Sequence, residues 1–209
     1  PALCAYAKWW RLNRTWPDGT YWSSGWGTGM DNMPREKPEY NPIFSHGHMV
    51  WLDTNLQQML VDESLLNIGF YIERWQEIED MEDEMKRLRA YVNEHLWDER
   101  TAFLYDRYGD GTLCTTKGIG AFWALQADAL DKERLDRMVA HLSDTTEFDR
   151  PHRVPSLSAD HPKYNPLGRY WQGGVWPGTN YMTIDGLYRK GYHDLAREIA
   201  ANHYAAVFE

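Results

Sequence analysis

The segment Tyr21-Trp-Ser-Ser-Gly-Trp-Gly-Thr-Gly-Met-Asp-Asn-Met-Pro-Arg35 sets a carboxylate, Asp31, in a glycine-rich turn bordered by tryptophans. Gly25, Gly27 and Gly29 admit backbone conformations closed to other residues, so a tight turn can carry Asp31 at its tip. Apolar bulk from Trp22 and Trp26 would disfavour the ionised carboxylate and raise its pKa. A carboxyl group held protonated near neutral pH beside a stacking surface is what a general acid for glycosidic cleavage requires. The plainer alternative is that Asp31 caps the turn and the glycines serve only the loop. Reading Gly25-Trp-Gly-Thr-Gly29 as a nucleotide loop fails, because no apolar strand precedes it and Pro34 and Pro38 break the helix that should follow.

A second segment of similar composition, Gly168-Arg-Tyr-Trp-Gln-Gly-Gly-Val-Trp-Pro-Gly-Thr-Asn180, supplies further stacking surfaces in Tyr170, Trp171 and Trp176. Pro177 suits the first turn of a following helix. The likeness between the two segments points to a shared cleft. Other combinations carry less. His46 and His48 lack a third plausible ligand and read as loop residues, and Asp106 with Asp110-Gly111 resembles half a calcium loop but reads as a plain turn. Asp62, Glu63 and the acidic run 77–84 read as solvated helix faces. No metal and no cofactor is called for.

Helices must position these segments. Residues 1–13 read as the end of a helix, and 14–46 follow without periodicity, rich in Gly, Pro and Trp. From about 47 to 75 the pattern is helical, with Asp53 and Gln57 at i and i+4 on one face. Met81, Met85, Leu88, Val92 and Leu96 then mark an outer, amphipathic helix. After a short extended segment over 103–108, residues 118–130 read as an inward helix and 131–142 as its amphipathic partner. Residues 143–177 are irregular, and helices follow over about 178–190 and 192–207. Pairs of one buried and one amphipathic helix, with aromatic loops leading into each buried one, stack as a solenoid or close as a toroid. No fixed repeat period shows, which favours an all-α, α/α toroid.

At 209 residues and 24.6 kDa, with 43% hydrophobic and 25% charged residues, the chain suits a single soluble domain spanning 1–209. Eleven Trp and thirteen Tyr exceed the needs of a core this size, which admits loop anchoring or sugar stacking equally. A net charge of −9 argues against a nucleic-acid partner, and no apolar run is long enough to span a membrane. Cys4 and Cys114 form no disulfide framework. The start at Pro1, with no Met and no basic–apolar leader, is read as that of an excised piece; the reading assigns it to the cytoplasm and leaves its oligomeric state open.

Three stretches taken in order resemble glycoside hydrolase family 63 and its relatives among trehalases and mannosylglycerate-type hydrolases. They are Ser24-Gly-Trp-Gly-Thr-Gly-Met-Asp-Asn-Met-Pro-Arg35, Trp51-Leu-Asp-Thr-Asn-Leu-Gln57, and Tyr170-Trp-Gln-Gly-Gly-Val-Trp-Pro177 with Asn180-Tyr181. A looser likeness includes Val154-Pro-Ser-Leu-Ser-Ala-Asp160. The resemblance implies an (α/α)6 toroid and hydrolysis, with inversion, of an α-linked gluco- or mannoside, a small saccharide or glycoside. It places the general acid on Asp31 and assigns Arg35, Asn55, Trp171 and Trp176 to the sugar subsite. Trp22, Trp26, Asn32, Asp53, Gln57, Tyr170 and Gln172 join them as candidate substrate-binding residues. Gln172 departs from the Arg that many relatives carry between the Trp and Gly of that motif, so a charged donor to substrate is lost. The general-base Glu of the family falls after the last helices present here, and Glu209 lacks its aromatic context. The base is therefore expected beyond a truncated C-terminus, and about seven helices cannot close a twelve-helix ring. Two other classes are carried forward: a non-catalytic carbohydrate-binding helical domain, and a sugar epimerase or isomerase that would use His46 and His48.

Overall fold

The computed structural model describes residues 1–208, and Glu209 lies outside the described residues. Among the described residues seven α-helices form in chain order: α1 (Ala2–Asn13), α2 (Gly25–Thr28), α3 (Leu52–Tyr71), α4 (Met81–Tyr91), α5 (Lys132–Val139), α6 (Pro177–Arg189) and α7 (His193–Ala206). A 3-10 helix, Ile119–Leu125, stands between α4 and α5 in the chain. Four two-residue strands, β1 (Met49–Val50), β2 (Trp97–Asp98), β3 (Phe103–Leu104) and β4 (Arg107–Tyr108), pair antiparallel as β1 with β4 and β2 with β3.

The burial pattern of each helix decides its layer. From Leu52 to Leu56 every residue of α3 is buried, and Leu56 and Met59 are fully enclosed. Enclosing such a side chain stabilises by about 1.5–3 kcal/mol. Helix α4 buries Met81, Glu84 and Leu88 and leaves Glu82, Asp83 and Lys86 in water, so it lies outside α3. Helix α5 is capped by the Asp131 carboxylate, which accepts from the Arg134 N–H, and contributes Leu135, Met138 and Val139 to the main core. α3, the Ile119–Leu125 segment and α6 pack in sequence side by side, with α4 outside α3 and α7 outside α6. The result is an arc of alternating inner and outer helices, with α1 against the flank of α3.

Three sequence expectations need correction. The inward helix predicted over 118–130 is a 3-10 helix of seven residues followed by turns. It is wedged between α3 and α6 and tethered at its start, where Gly118 bridges Leu157 and the Ile119 N–H donates to the Ser156 carbonyl. The tighter 3-10 coil fits that restricted span. The helix predicted to run through Leu96 leaves α geometry at Val92 and ends as a π-turn over Val92–Leu96 before entering β2. Helix α2 had no periodic signal, being a single turn.

The third correction concerns acidic residues read as solvated. Asp62 and Glu84 are buried between α3 and α4. Glu84 accepts from the Tyr21 hydroxyl at 2.6 Å and pairs with Arg11 of α1 and with Arg87, while Gln58 donates to Asp62 at 2.9 Å. Burial, and then the neighbouring Glu84 charge, push the Asp62 carboxyl up to about 8. At neutral pH the folded chain therefore holds a proton that the unfolded chain releases near the ordinary carboxylate range. This stabilising term is fully present below about pH 4 and is lost as pH rises through about 8. Asp62→Asn, which keeps the shape of the protonated acid, is expected to flatten that decline, worth up to about 1.4 kcal/mol per pH unit. Urea midpoints measured from pH 5 to 9 check it. Equal slopes for the two proteins would show that Asp62 is not the group responsible.

Candidate active site

The Asp31 turn is fixed from beneath by Arg35. One guanidinium nitrogen donates to Asp53 Oδ2 at 2.8 Å, and the other lies 3.5 Å from Asp106 Oδ2. The guanidinium plane covers Trp51 at 4.4 Å, and all three charged residues are buried. Nη2 also reaches Thr28 Oγ1 at 3.3 Å and Met30 Sδ at 3.5 Å, so one side chain ties the start of the turn to its end. The Arg35 carbonyl accepts from the Tyr108 hydroxyl at 2.8 Å and the Cys114 thiol at 3.2 Å. Both carboxylates also serve the first turn of α3: Asp106 Oδ1 accepts from the Leu52 N–H and Asp53 Oδ1 from the Thr54 N–H, where the helix dipole favours negative charge. Burial pushes the Asp106 carboxyl up, Arg35 pulls it down and Asp53 pushes it up again, to about 6.

Above this anchor the turn takes its shape from two glycines. Ser24 caps α2 by accepting from the Gly27 N–H, and Gly29 ends it at φ 74°, where a side chain would be strained. A methyl group on Gly25 would lie 2.1 Å from the Pro42 carbonyl oxygen and 3.1 Å from Asp31 Cα, so three chain segments meet where Gly25 has no side chain. Asp31 emerges half-buried.

The second aromatic segment closes over this turn. The Tyr170 hydroxyl donates to Asp31 Oδ2 at 3.3 Å. Asn32 joins the two loops: its Nδ2 donates to the Arg169 carbonyl at 3.0 Å, its Oδ1 accepts from the Trp171 N–H at 2.8 Å, and its carbonyl accepts from Gln172 Nε2 at 3.2 Å. Trp171 and Trp176 stack at 4.9 Å with 18° between planes, and Tyr170 stands edge-on to both. Asn180, in the first turn of α6, exchanges hydrogen bonds with Val154, and the Ser156 N–H donates to Gly174, which anchors the loop's far end.

The structure thus gathers Asp31, Asn32, Tyr170, Trp171, Gln172 and Trp176 in one place. Other candidates lie elsewhere. Arg35 and Asp53 border a narrow, partly open recess of about 30 Å³, which Met30, Asp106 and Thr116 also line. Arg35 holds the turn from below through Asp53 and Thr28. Asn55, 1% exposed, spends its side chain on the Tyr21 N–H and on the Tyr21 and Trp51 carbonyls. Gln57 is half-buried on α3. Trp22 packs with Trp16 and His46 under the Arg14 guanidinium, while Trp26 stacks on Phe44. The polar contact to the Asp31 carboxylate comes from Tyr170, a partner the sequence reading had not given it. His46 and His48 fold into one turn, with the His48 N–H donating to His46 Nδ1.

Sequence reasoning missed Asp106, Thr28 and Tyr108. The sequence pattern offers Asp106 only as half a calcium loop; in the fold it faces Arg35, and Asp110 pairs with Lys37 and Thr112. No local pattern marks it, because its partner stands 71 residues away.

The family described as a mannosylglycerate hydrolase MGH1-like glycoside hydrolase domain matches residues 1–209. A mannosylglycerate hydrolase of Rubrobacter radiotolerans is 32% identical over 113 residues, covering 50% of this chain and 24% of that protein. The chain therefore spans about a quarter of that curated relative's length. A family 63 mannosylglycerate hydrolase of Thermus thermophilus, solved with glucose, superposes with TM-score 0.82 at 20% identity, covering 95% of this chain and 57% of that one. A neutral trehalase of Saccharomyces cerevisiae superposes with TM-score 0.63 at 13% identity, over 81% of this chain and 32% of that one. At these identities the likeness concerns the fold: the arc of inner and outer helices is part of an (α/α)6 toroid.

Arg35→Met leaves two buried carboxylates without their cation. It should cost about 3–5 kcal/mol of stability, as removing one partner of a buried ion pair does. Chemical denaturation measures this. A loss below about 1 kcal/mol, the range of an exposed pair, would show that Arg35 does not anchor the turn.

Proposed function

The chain belongs to the mannosylglycerate hydrolase MGH1-like glycoside hydrolase family, and on that premise we propose that it carries the general-acid half of an inverting glycosidase site. Asp31 is the acid, and the substrate is an α-gluco- or α-mannoside. The observation that supports this most directly is the position of Asp31: half-buried at the tip of a clamped turn, in reach of the Tyr170 hydroxyl and beside the Trp171–Trp176 stack.

The chemistry follows from that position. Cleavage expels an alkoxide unless the glycosidic oxygen receives a proton as the bond to the anomeric carbon breaks. A carboxyl group at the end of a rigid turn delivers that proton without reorganising, while stacked rings fix the apolar face of the sugar. The Tyr170 hydroxyl donates to the carboxylate left after transfer. Inversion also needs a second carboxylate about 6.5–9.5 Å away to activate water on the opposite face. Asp53 and Asp106 are committed to Arg35, so the base is assigned to residues other than these. The epimerase reading draws no support from His46 and His48, which are used within a single turn.

In the protein that carries this chain, Asp31→Asn should lower hydrolysis of an alkyl glycoside by about 10³-fold or more, at the upper end of general-acid contributions. A glycoside with a highly acidic phenol as leaving group needs little protonation and should lose far less. That selective sparing separates a proton donor from a residue needed only for folding. Undiminished alkyl-glycoside hydrolysis in the variant refutes the assignment of the acid. Release of the sugar first as its α-anomer, followed by NMR, refutes inversion.

A further inference from the structure

We propose that Asn32 is a positioning residue for proton transfer: its side-chain amide holds Tyr170 in a left-handed backbone conformation that brings the Tyr170 hydroxyl to Asp31. The proposal rests on reading Asp31 as the general acid.

Tyr170 lies at φ 64° and Arg169 before it at φ 34°, both in the left-handed region. For a bulky side chain that region is an outlier, and it persists only where the surroundings impose it. Such strain gathers at sites where geometry serves a purpose. At Tyr170 a glycine would hold the backbone more easily but would bring no hydroxyl.

The constraint comes from one planar group. Two rigid peptide planes flank the Tyr170 Cα, and φ and ψ of Tyr170 set how they are turned against each other. Asn32 holds both. Its Nδ2 donates to the Arg169 carbonyl at 3.0 Å, in the plane before Tyr170. Its Oδ1 accepts from the Trp171 N–H at 2.8 Å, in the plane after it. A side-chain amide carries a donor and an acceptor on one rigid plane, so the two bonds together fix the angle between the peptides. A carboxylate in its place would set an oxygen against the Arg169 carbonyl. The second plane is held again from its other edge, where the Tyr170 carbonyl accepts from the Gly174 N–H at 3.2 Å and from Trp176 Nε1 at 3.4 Å. From this conformation the Tyr170 hydroxyl stands 3.3 Å from Asp31 Oδ2. The grip on Tyr170 and the carboxylate that Tyr170 reaches therefore belong to adjacent residues.

The chemical effect follows from where charge appears. When Asp31 gives its proton to the glycosidic oxygen, negative charge develops on its carboxylate. A hydroxyl already aimed at Oδ2 donates to that charge without reorganising. Without Asn32, Tyr170 is free to relax to a negative φ, which carries the hydroxyl away from Oδ2. The Asn32 side chain spends both polar ends on main chain, so its effect on proton transfer runs through Tyr170.

The test compares Tyr170→Phe, Asn32→Ala, their double variant and Asp31→Asn in the protein that carries this chain. Each is assayed on an alkyl glycoside and on a glycoside with a highly acidic phenol as leaving group. Tyr170→Phe should lower kcat on the alkyl glycoside roughly ten- to hundredfold, the scale of one hydrogen bond to a charged group, and largely spare the phenyl glycoside. Asn32→Ala should show the same selective loss, and the double variant should be no slower than Tyr170→Phe alone. Multiplied losses in the double variant overturn the proposal, since Asn32 would then act by a separate route. An equal loss on both substrates in Asn32→Ala also overturns it, because that marks a residue needed for sugar binding or folding. So does an alkyl-glycoside rate that either single variant leaves unchanged. All three outcomes leave the assignment of Asp31 standing when Asp31→Asn itself loses alkyl-glycoside hydrolysis. Undiminished hydrolysis by Asp31→Asn removes that assignment, and this proposal with it. Circular dichroism checks that each variant folds; if Asn32→Ala does not, Asn32→Ser takes its place in the comparison.

Discussion

A guanidinium shared between two carboxylates, out of reach of water, sets the terms for everything above it. Arg35 lies between Asp53 and Asp106 with Trp51 beneath. Each carboxylate has a second task at the start of α3, and the guanidinium has a second task in the turn that carries Asp31. Burying these charges is costly unless the geometry is good and the remaining polar atoms are bonded. The arrangement therefore tolerates few alternatives, and that restriction holds the turn in one conformation.

How much of this could be read from residues alone depended on distance along the chain. The alternation of buried and amphipathic helices was legible, because the period of a helix repeats within a few residues. The two aromatic loops were legible as a pair, because each carries its own dense signal. The partnership of Arg35 with Asp106 was not, since the 71 residues between them contain nothing that points from one to the other. The same reason explains why the buried bonds of Arg35 and Asn55, which the resemblance assigns to the sugar subsite, and of Asp53 to charge and backbone have no local sign in the sequence. Residue type at a motif position does not say which side of the loop the side chain takes.

The buried acids of α3 and α4 illustrate the opposite error. Asp62 and Glu84 sit at positions where charge on a helix is normally in water. What draws them inward is Tyr21, Arg11 and Gln58, contributed by a loop, by α1 and by α3 itself. Local pattern gives the average environment of a residue, and tertiary partners decide the exception. The 3-10 form of Ile119–Leu125 belongs to the same class, since its length and pitch follow from the space between α3 and α6.

Asn32 makes its bonds largely to main-chain atoms, the Arg169 carbonyl and the Trp171 N–H, the latter on a residue 139 positions later in the chain. These two bonds do not depend on the side chains of the residues they grip. Arg169 is exposed, and its replacement leaves the carbonyl that Asn32 holds in place. At that position the loop opposite Asp31 can change its surface chemistry without losing the bond that joins it to the turn. Change of the side chain at Arg169 and retention of the Asp31 turn are therefore separable traits.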